Sequence, residues 1–206
     1  MARSRAADYD TQRDRILANA AEAFSRIGYP SASMAQLARS CGTSKATLYH
    51  YFESKEALLF EALDRHTAGL LVLVEQAAGA APAGAERWAA VVRALMPEYR
   101  RSRACHAALI NDVRFLPPDL RERIAARQRA VVEAVAQTLC EAFPGRIDPD
   151  NRTPITMALL GMHNFTFAWL RPDGRMSHEA FGELALALSL HGLSGGSGCS
   201  TPPAPP

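Results

Sequence analysis

Lysine is almost missing from this chain: of its 23 basic side chains only Lys45 and Lys55 are lysines, and arginine supplies the rest. Cysteine is scarce too. Cys41, Cys105, Cys140 and Cys199 lack the paired spacing of a metal knuckle and read as buried or free thiols, so no metal site and no disulfide framework is expected. No alternating apolar and polar run is long enough to suggest a sheet, which leaves helix as the repeating element. The stretch Pro154 to Leu170 has no formal charge, but it is short and carries Thr156, His163, Asn164 and Thr166, which argues against a membrane span. The N-terminus bears Arg3 and Arg5 and lacks the apolar core of a secretory leader, so a cytoplasmic location is expected. A convergent set of acid, base and nucleophile is also missing. The chain therefore reads as no enzyme, with no catalytic residues and no cofactor.

Both lysines fall in one segment, Thr43-Ser-Lys-Ala-Thr-Leu-Tyr-His-Tyr-Phe-Glu-Ser-Lys55. Just upstream, Ser33 followed by Gln36 has the form of a capping box, and Met34, Leu37, Ala38 and Cys41 then recur at helical spacing. Gly42 breaks that helix where a left-handed backbone costs least. Ser44 caps a second short helix that turns Leu48 and Phe52 inward and leaves Lys45, Thr47, Tyr49 and His50 outward or flanking. Two short helices joined by a tight turn form a helix-turn-helix, whose second helix enters the major groove of double-stranded DNA. The candidate DNA-contacting residues are Ser33, Thr43, Ser44, Lys45, Thr47, Tyr49, His50 and Lys55. The lysines suit phosphates, and Thr47 suits a base edge or a thymine methyl. Lys55 follows the cap Ser54 in the first turn of the next helix, where exposed N–H groups already attract an anion.

Helical periodicity divides the rest of the chain. Residues 1–10 read as a flexible arm in which Arg3 and Arg5 are candidates for minor-groove or phosphate contact. Residues 11–57 form the DNA-binding unit, opened by a helix from Thr11 to Ile27 with Ile16, Ala20, Phe24 and Ile27 on one stripe. Residues 58–193 form a helical domain, with helices expected near 54–75, 86–102, 107–115, 117–143, 153–170 and 177–193 and a first linker at 79–84. Residues 194–206, rich in Gly, Ser and Pro, read as a disordered tail. Apolar groups surround the axis of the 153–170 helix, so it is expected to be covered on nearly all sides. Its stripe of Met157, Gly161, Asn164 and Ala168 would let another helix approach closely.

The run from Gly28 to Leu59, and above all Cys41-Gly-Thr-Ser-Lys-Ala-Thr-Leu-Tyr-His-Tyr-Phe, resembles the DNA-binding half of the tetracycline-repressor family. One departure is Thr43, where that family usually has a valine packed beneath the recognition helix. The resemblance implies an all-α protein, with an N-terminal three-helix DNA-binding domain and a C-terminal helical domain for ligand binding and dimerisation. It also implies a homodimer on a palindromic operator, its last two long helices pairing across a two-fold axis. Met157, Gly161, Ala168, Leu184 and Leu188 are the interface candidates. The segments Leu116 to Ile124 and Gly161 to Ser177 further resemble regulators that answer to acyl-CoA thioesters. That likeness implies a small-molecule inducer, with His163, Phe165 and Trp169 near the acyl group and Arg171 or Arg175 near the phosphates. Two other readings stand beside a ligand-released repressor: a constitutive architectural DNA-binding protein, and a thiol-based redox-responsive regulator using Cys105 or Cys140.

Overall fold

The computed structural model describes residues 2–171 and 173–195, and their regular structure is helical throughout. The first helix, α1 (Ala2–Ile27), buries Ile16, Ala20 and Phe24, the stripe that the periodicity predicts. It begins earlier than Thr11, so the backbone is helical through most of the stretch expected to be an arm. Alanines at 2, 6 and 7 favour that extension. Gly28 ends the helix at φ 78°.

Next come α2 (Met34–Ser40) and α3 (Lys45–Tyr51), followed by α4 (Lys55–Ala80), which runs without interruption across the expected domain boundary at 57/58. Leu58, Leu59, Ala62 and Leu63 of α4 join the core around Phe24, Leu37 and Leu48. Two turns further on, Leu70 and Val74 join a second core. One continuous helix therefore belongs to both units.

Behind it lie α5 (Ala85–Arg101), α6 (Arg103–Asn111), α7 (Pro118–Ala142), α8 (Arg152–Asn164), the single turn α9 (Thr166–Trp169) and α10 (His178–Gly195). A 3₁₀ turn, Val113–Phe115, joins α6 to α7, and Pro118 starts α7 where a missing N–H costs nothing. Trp88 of α5 is fully buried and donates its indole N–H to Ser189 Oγ of α10 at 2.9 Å. A Cβ on Gly182 would lie 2.6 Å from Met96 Cγ, so α10 and α5 pack at a distance only glycine permits.

One expectation for the C-terminal half needs correction. The single helix over 153–170 is broken at Phe165, where Thr166 Oγ1 donates to the carbonyl of His163 at 2.7 Å and helps divert the chain before α9. Within the single chain the segment keeps one side open: Met157, Phe165 and Trp169 are each about half exposed, at 52%, 56% and 50%, the side that the expected subunit interface would cover. The expected tail lies outside the described residues from residue 196 onward; residues 194 and 195 are the end of α10.

Candidate DNA-binding surface and ligand cavity

The caps expected at the helix-turn-helix are in place. Gln36 N–H donates to Ser33 Oγ at 3.3 Å, and Ser33 N–H donates to Gln36 Oε1 at 2.9 Å, which completes the capping box. Gly42 takes φ 64°, and Thr43 N–H reaches back to the carbonyl of Ala38 at 2.9 Å. Thr43 itself is half-buried. Ser44 Oγ accepts the N–H of Thr47 at 3.0 Å and lies 2.8 Å from Thr47 Oγ1, so one cap starts α3 and also fixes the hydroxyl of a candidate reading residue.

Leu48 and Phe52 are buried beneath α3, while Ser44, Lys45, Thr47, Tyr49 and His50 form an exposed face. Lys45 Nζ lies 5.7 Å from the centre of the Tyr49 ring. His50 meets Tyr9 edge-on at 6.2 Å, and Tyr9 stacks on Tyr51 at 4.6 Å. Arg13 of α1 braces this end of the helix. It forms an ion pair with Glu61 of α4, donates to the carbonyl of Tyr51 at 2.9 Å and lies 4.4 Å from the centre of the Phe52 ring.

Lys55 is placed differently from Lys45. Its ammonium donates to the carbonyl of Tyr29 at 3.0 Å and sits 4.2 Å from the centre of the Tyr29 ring. Two N–H groups remain for an anion. Glu56 beside it is held below the usual carboxylate range chiefly by its own backbone N–H at the helix start, with the Tyr29 hydroxyl, which donates to it at 2.9 Å, and the Lys55 charge adding to the effect. The Tyr29 hydroxyl is pushed upward by burial and by that carboxylate.

The C-terminal domain contains a cavity of about 640 Å³, a volume suited to a drug-sized molecule. Apolar walls come from Leu70, Leu109, Val131 and Leu160; Tyr99, His106 and Asn164 also line it, with Gln128, Arg129, Glu133 and Thr153. Arg129 and Glu133 are mostly exposed, at 64% and 65%, which puts the charge at the mouth.

None of the five residues expected around the ligand lines this cavity. His163 is fully buried but donates Nδ1–H to the carbonyl of Leu159 at 2.8 Å and faces Trp88. Phe165 and Trp169 lie on the outer face, with Trp169 meeting Phe181 edge-on. Arg171 pairs with Asp173 in the exposed turn, and Arg175 is exposed there too. The lining that sequence reasoning missed comes from helices far apart in the chain, which no local pattern marks. Of the expected interface residues, Met157 and Gly161 on α8, Ala168 on α9 and Leu184 and Leu188 on α10 are all exposed.

Two of the thiols, Cys41 and Cys105, are poorly suited to redox sensing. Burial pushes Cys105 up to about 11 and raises Cys41, which keeps both as protonated thiols, the unreactive form. Among the described residues no group of three His, Cys, Asp or Glu side chains could hold a metal, and no helix is long and apolar enough to cross a membrane.

A braced, exposed recognition helix in front of a cavity-bearing helical domain defines a DNA-binding transcription regulator of the helix-turn-helix class. Residues 16–62 match the family model for bacterial regulatory proteins of the tetR family, and residues 81–193 match that for the tetracycline repressor-like C-terminal domain. The chain belongs to the tetracycline-repressor family. It is 34% identical to a TetR-family transcriptional regulator from Bordetella parapertussis, whose crystal structure it matches with TM-score 0.81 over 86% of this chain and 93% of that one. The crystal structure of AibR in complex with isovaleryl coenzyme A and operator DNA is similar at TM-score 0.75 and 26% identity, over 86% and 97% of the two chains. The regulator UidR of Escherichia coli K12 is 55% identical over 47 residues, a match that spans 23% of this chain and 24% of that relative.

Proposed function

We propose that the protein is a cytoplasmic homodimeric repressor that holds a palindromic operator through α3 of each subunit and is released by a small-molecule inducer, an acyl-CoA thioester. One structural link carries this reading. His106, Leu109 and Ile110 of α6 line the cavity, while Ala108 and Leu109 of the same helix are part of the DNA-binding core. Phe115, just beyond α6, stacks on Tyr29 at 5.3 Å, and Tyr29 holds Lys55. A ligand that shifts α6 therefore acts on groups that position the DNA-binding surface. Release requires only that the ligand prefer the arrangement that does not fit DNA. A constitutive architectural binder has no need of such a cavity.

The exposed apolar groups of α8 and α10 support the dimer, since neighbouring helices that leave Met157, Leu184 and Leu188 in water make a patch that pairing would cover. AibR, which binds isovaleryl coenzyme A, supports the thioester. In this chain the acyl group belongs in the cavity between α4, α5, α6, α7 and α8 rather than beside Phe165 and Trp169, and Arg129 at the mouth is a candidate for a CoA phosphate. Calorimetry with aliphatic and aromatic acyl-CoAs, each beside its free acid, with and without a selected operator duplex, tests the reading. Thioesters that bind and lose affinity by the same factor by which they weaken operator binding support it. Binding that is indifferent to DNA, or no thioester binding, overturns the inducer class.

A further inference from the structure

The recognition helix α3 has seven residues, too few to hold itself, since an isolated helix in water needs about 12–15. It depends on what it is tied to. Its first turn is fixed by the Ser44 cap, and its backbone packs mainly against α2. At the other end the carbonyls of the last turn have no partner within the helix and need donors from outside it. Arg13 of α1 supplies one, donating from Nη1 to the carbonyl of Tyr51, the last residue of α3, at 2.9 Å.

The same guanidinium is anchored on α4. It donates from Nε to Glu61 Oε1 at 2.6 Å and from Nη2 to Glu61 Oε2, and it lies over the ring of Phe52, the residue that follows α3. Glu61 is held in turn by Arg65, one turn further along α4, at 2.9 Å. The Arg13 and Glu61 side chains are each only 21% exposed, so the pair is screened less than one on the open surface. One guanidinium thus joins the end of α3 to both long helices of the domain. Tyr9, one turn before Arg13 on α1, adds a second contact by stacking on Tyr51 and meeting His50 edge-on.

We infer that Arg13 is a positioning residue for sequence reading: it sets the angle of α3 against α1 and α4, and with it the alignment of Thr47 and Tyr49 on base edges. This rests on α3 being the helix that reads the operator. Arg13 is not itself a phosphate contact, because the Glu61 carboxylate already neutralises its charge. The planar fork is what the geometry demands, since a lysine ammonium is a point charge that cannot hold the Glu61 carboxylate and the Tyr51 carbonyl in fixed directions at once. Base contacts carry the sequence information and are lost when α3 tilts, whereas phosphate contacts from flexible side chains such as Lys45 follow the backbone. Loss of the fork therefore costs discrimination between operator and random DNA, not binding to DNA as such.

The test selects a preferred duplex with the wild-type protein, then titrates that duplex and a random one across salt concentrations with wild type, Arg13→Lys, Arg13→Met and Val135→Ala, with thermal melting followed in parallel. Val135 is fully buried in the second core, so its variant shows what a general loss of stability does to DNA binding. Arg13→Lys and Arg13→Met are each expected to lower the ratio of specific to random affinity by about tenfold or more, the worth of one good base contact, with random binding and the salt slope unchanged. Val135→Ala is expected to keep the wild-type ratio. A wild-type ratio in Arg13→Lys overturns the inference. So does an equal loss on both duplexes with the salt slope lowered by about 0.9 per subunit, which makes Arg13 a phosphate contact, or an equal loss of ratio in Val135→Ala, which makes the effect one of stability. Arg13→Lys keeps the charge and the aliphatic stem, so it keeps the test decisive should Arg13→Met fail to fold. A wild type that prefers no duplex overturns the operator reading and this inference with it, an outcome distinct from the others.

Discussion

The two lysines, alike in sequence context, have different work in the fold. Lys45 is exposed on α3 and has only a loose contact with the Tyr49 ring, whereas Lys55 is tied to Tyr29 by a hydrogen bond and by its position over the ring. Lys45→Ala should weaken binding to specific and random duplexes alike and lower the salt slope by about 0.9 per subunit, the signature of one lost phosphate contact. Lys55→Ala should do the same and also destabilise the protein by about 1 kcal/mol through the lost cation–π contact and hydrogen bond. Salt titrations and denaturant melts of both variants separate the effects; equal melts for the two would contradict the Tyr29 tie. That tie was hidden in the sequence, because 26 residues separate Lys55 from Tyr29 and no periodicity relates them. The exposed face of α3 was legible because its caps and apolar positions all lie within one short segment.

At the scale of elements, α4 and α6 meet through His66 and His106, whose rings lie edge-on at 5.4 Å. Burial lowers His66 to about 4 and His106 to about 3, the latter helped by the proximity of His66. A histidine whose folded value is depressed adds stability that is fully present above the unfolded value of 6.5 and is lost as pH falls toward the folded value. Stability should therefore drop between pH 6.5 and 4, by up to roughly 1.4 kcal/mol per pH unit for each such group. His106→Leu should make that decline shallower by about one proton, read from denaturant unfolding at stepwise pH; an unchanged slope would contradict neutral burial. Helix boundaries set by local chemistry, such as Ser33 with Gln36, Gly42, Ser44 and Pro118, were readable in advance. The break at Phe165 was not, since Asn-Phe-Thr-Phe holds no glycine or proline to force a stop, and a threonine bonding back to a carbonyl such as that of His163 occurs within continuing helices too. The cavity escaped for a related reason: Thr67, Tyr99, His106, Arg129 and Asn164 sit on five different helices and converge only on folding.

For the whole molecule the question is how two recognition helices are held for DNA. No neighbouring side chain among the described residues comes within 4 Å of the position a Cβ on Gly161 would take, so an arginine there fits the single chain. Gly161→Arg should fold normally yet sediment as a monomer and bind operator far more weakly; a variant that dimerises like wild type would move the interface elsewhere. The most direct test of the central claim is selection of binding sites from random duplexes by the purified protein, repeated with Thr47→Ala and Tyr49→Phe. The account predicts an inverted repeat whose half-sites lie about 34–36 Å or a multiple of that apart, with base preference relaxed, or affinity lowered by about 1–3 kcal/mol, in at least one variant. Recovery of no enriched sequence, or of an asymmetric one that both variants select unchanged, would contradict it.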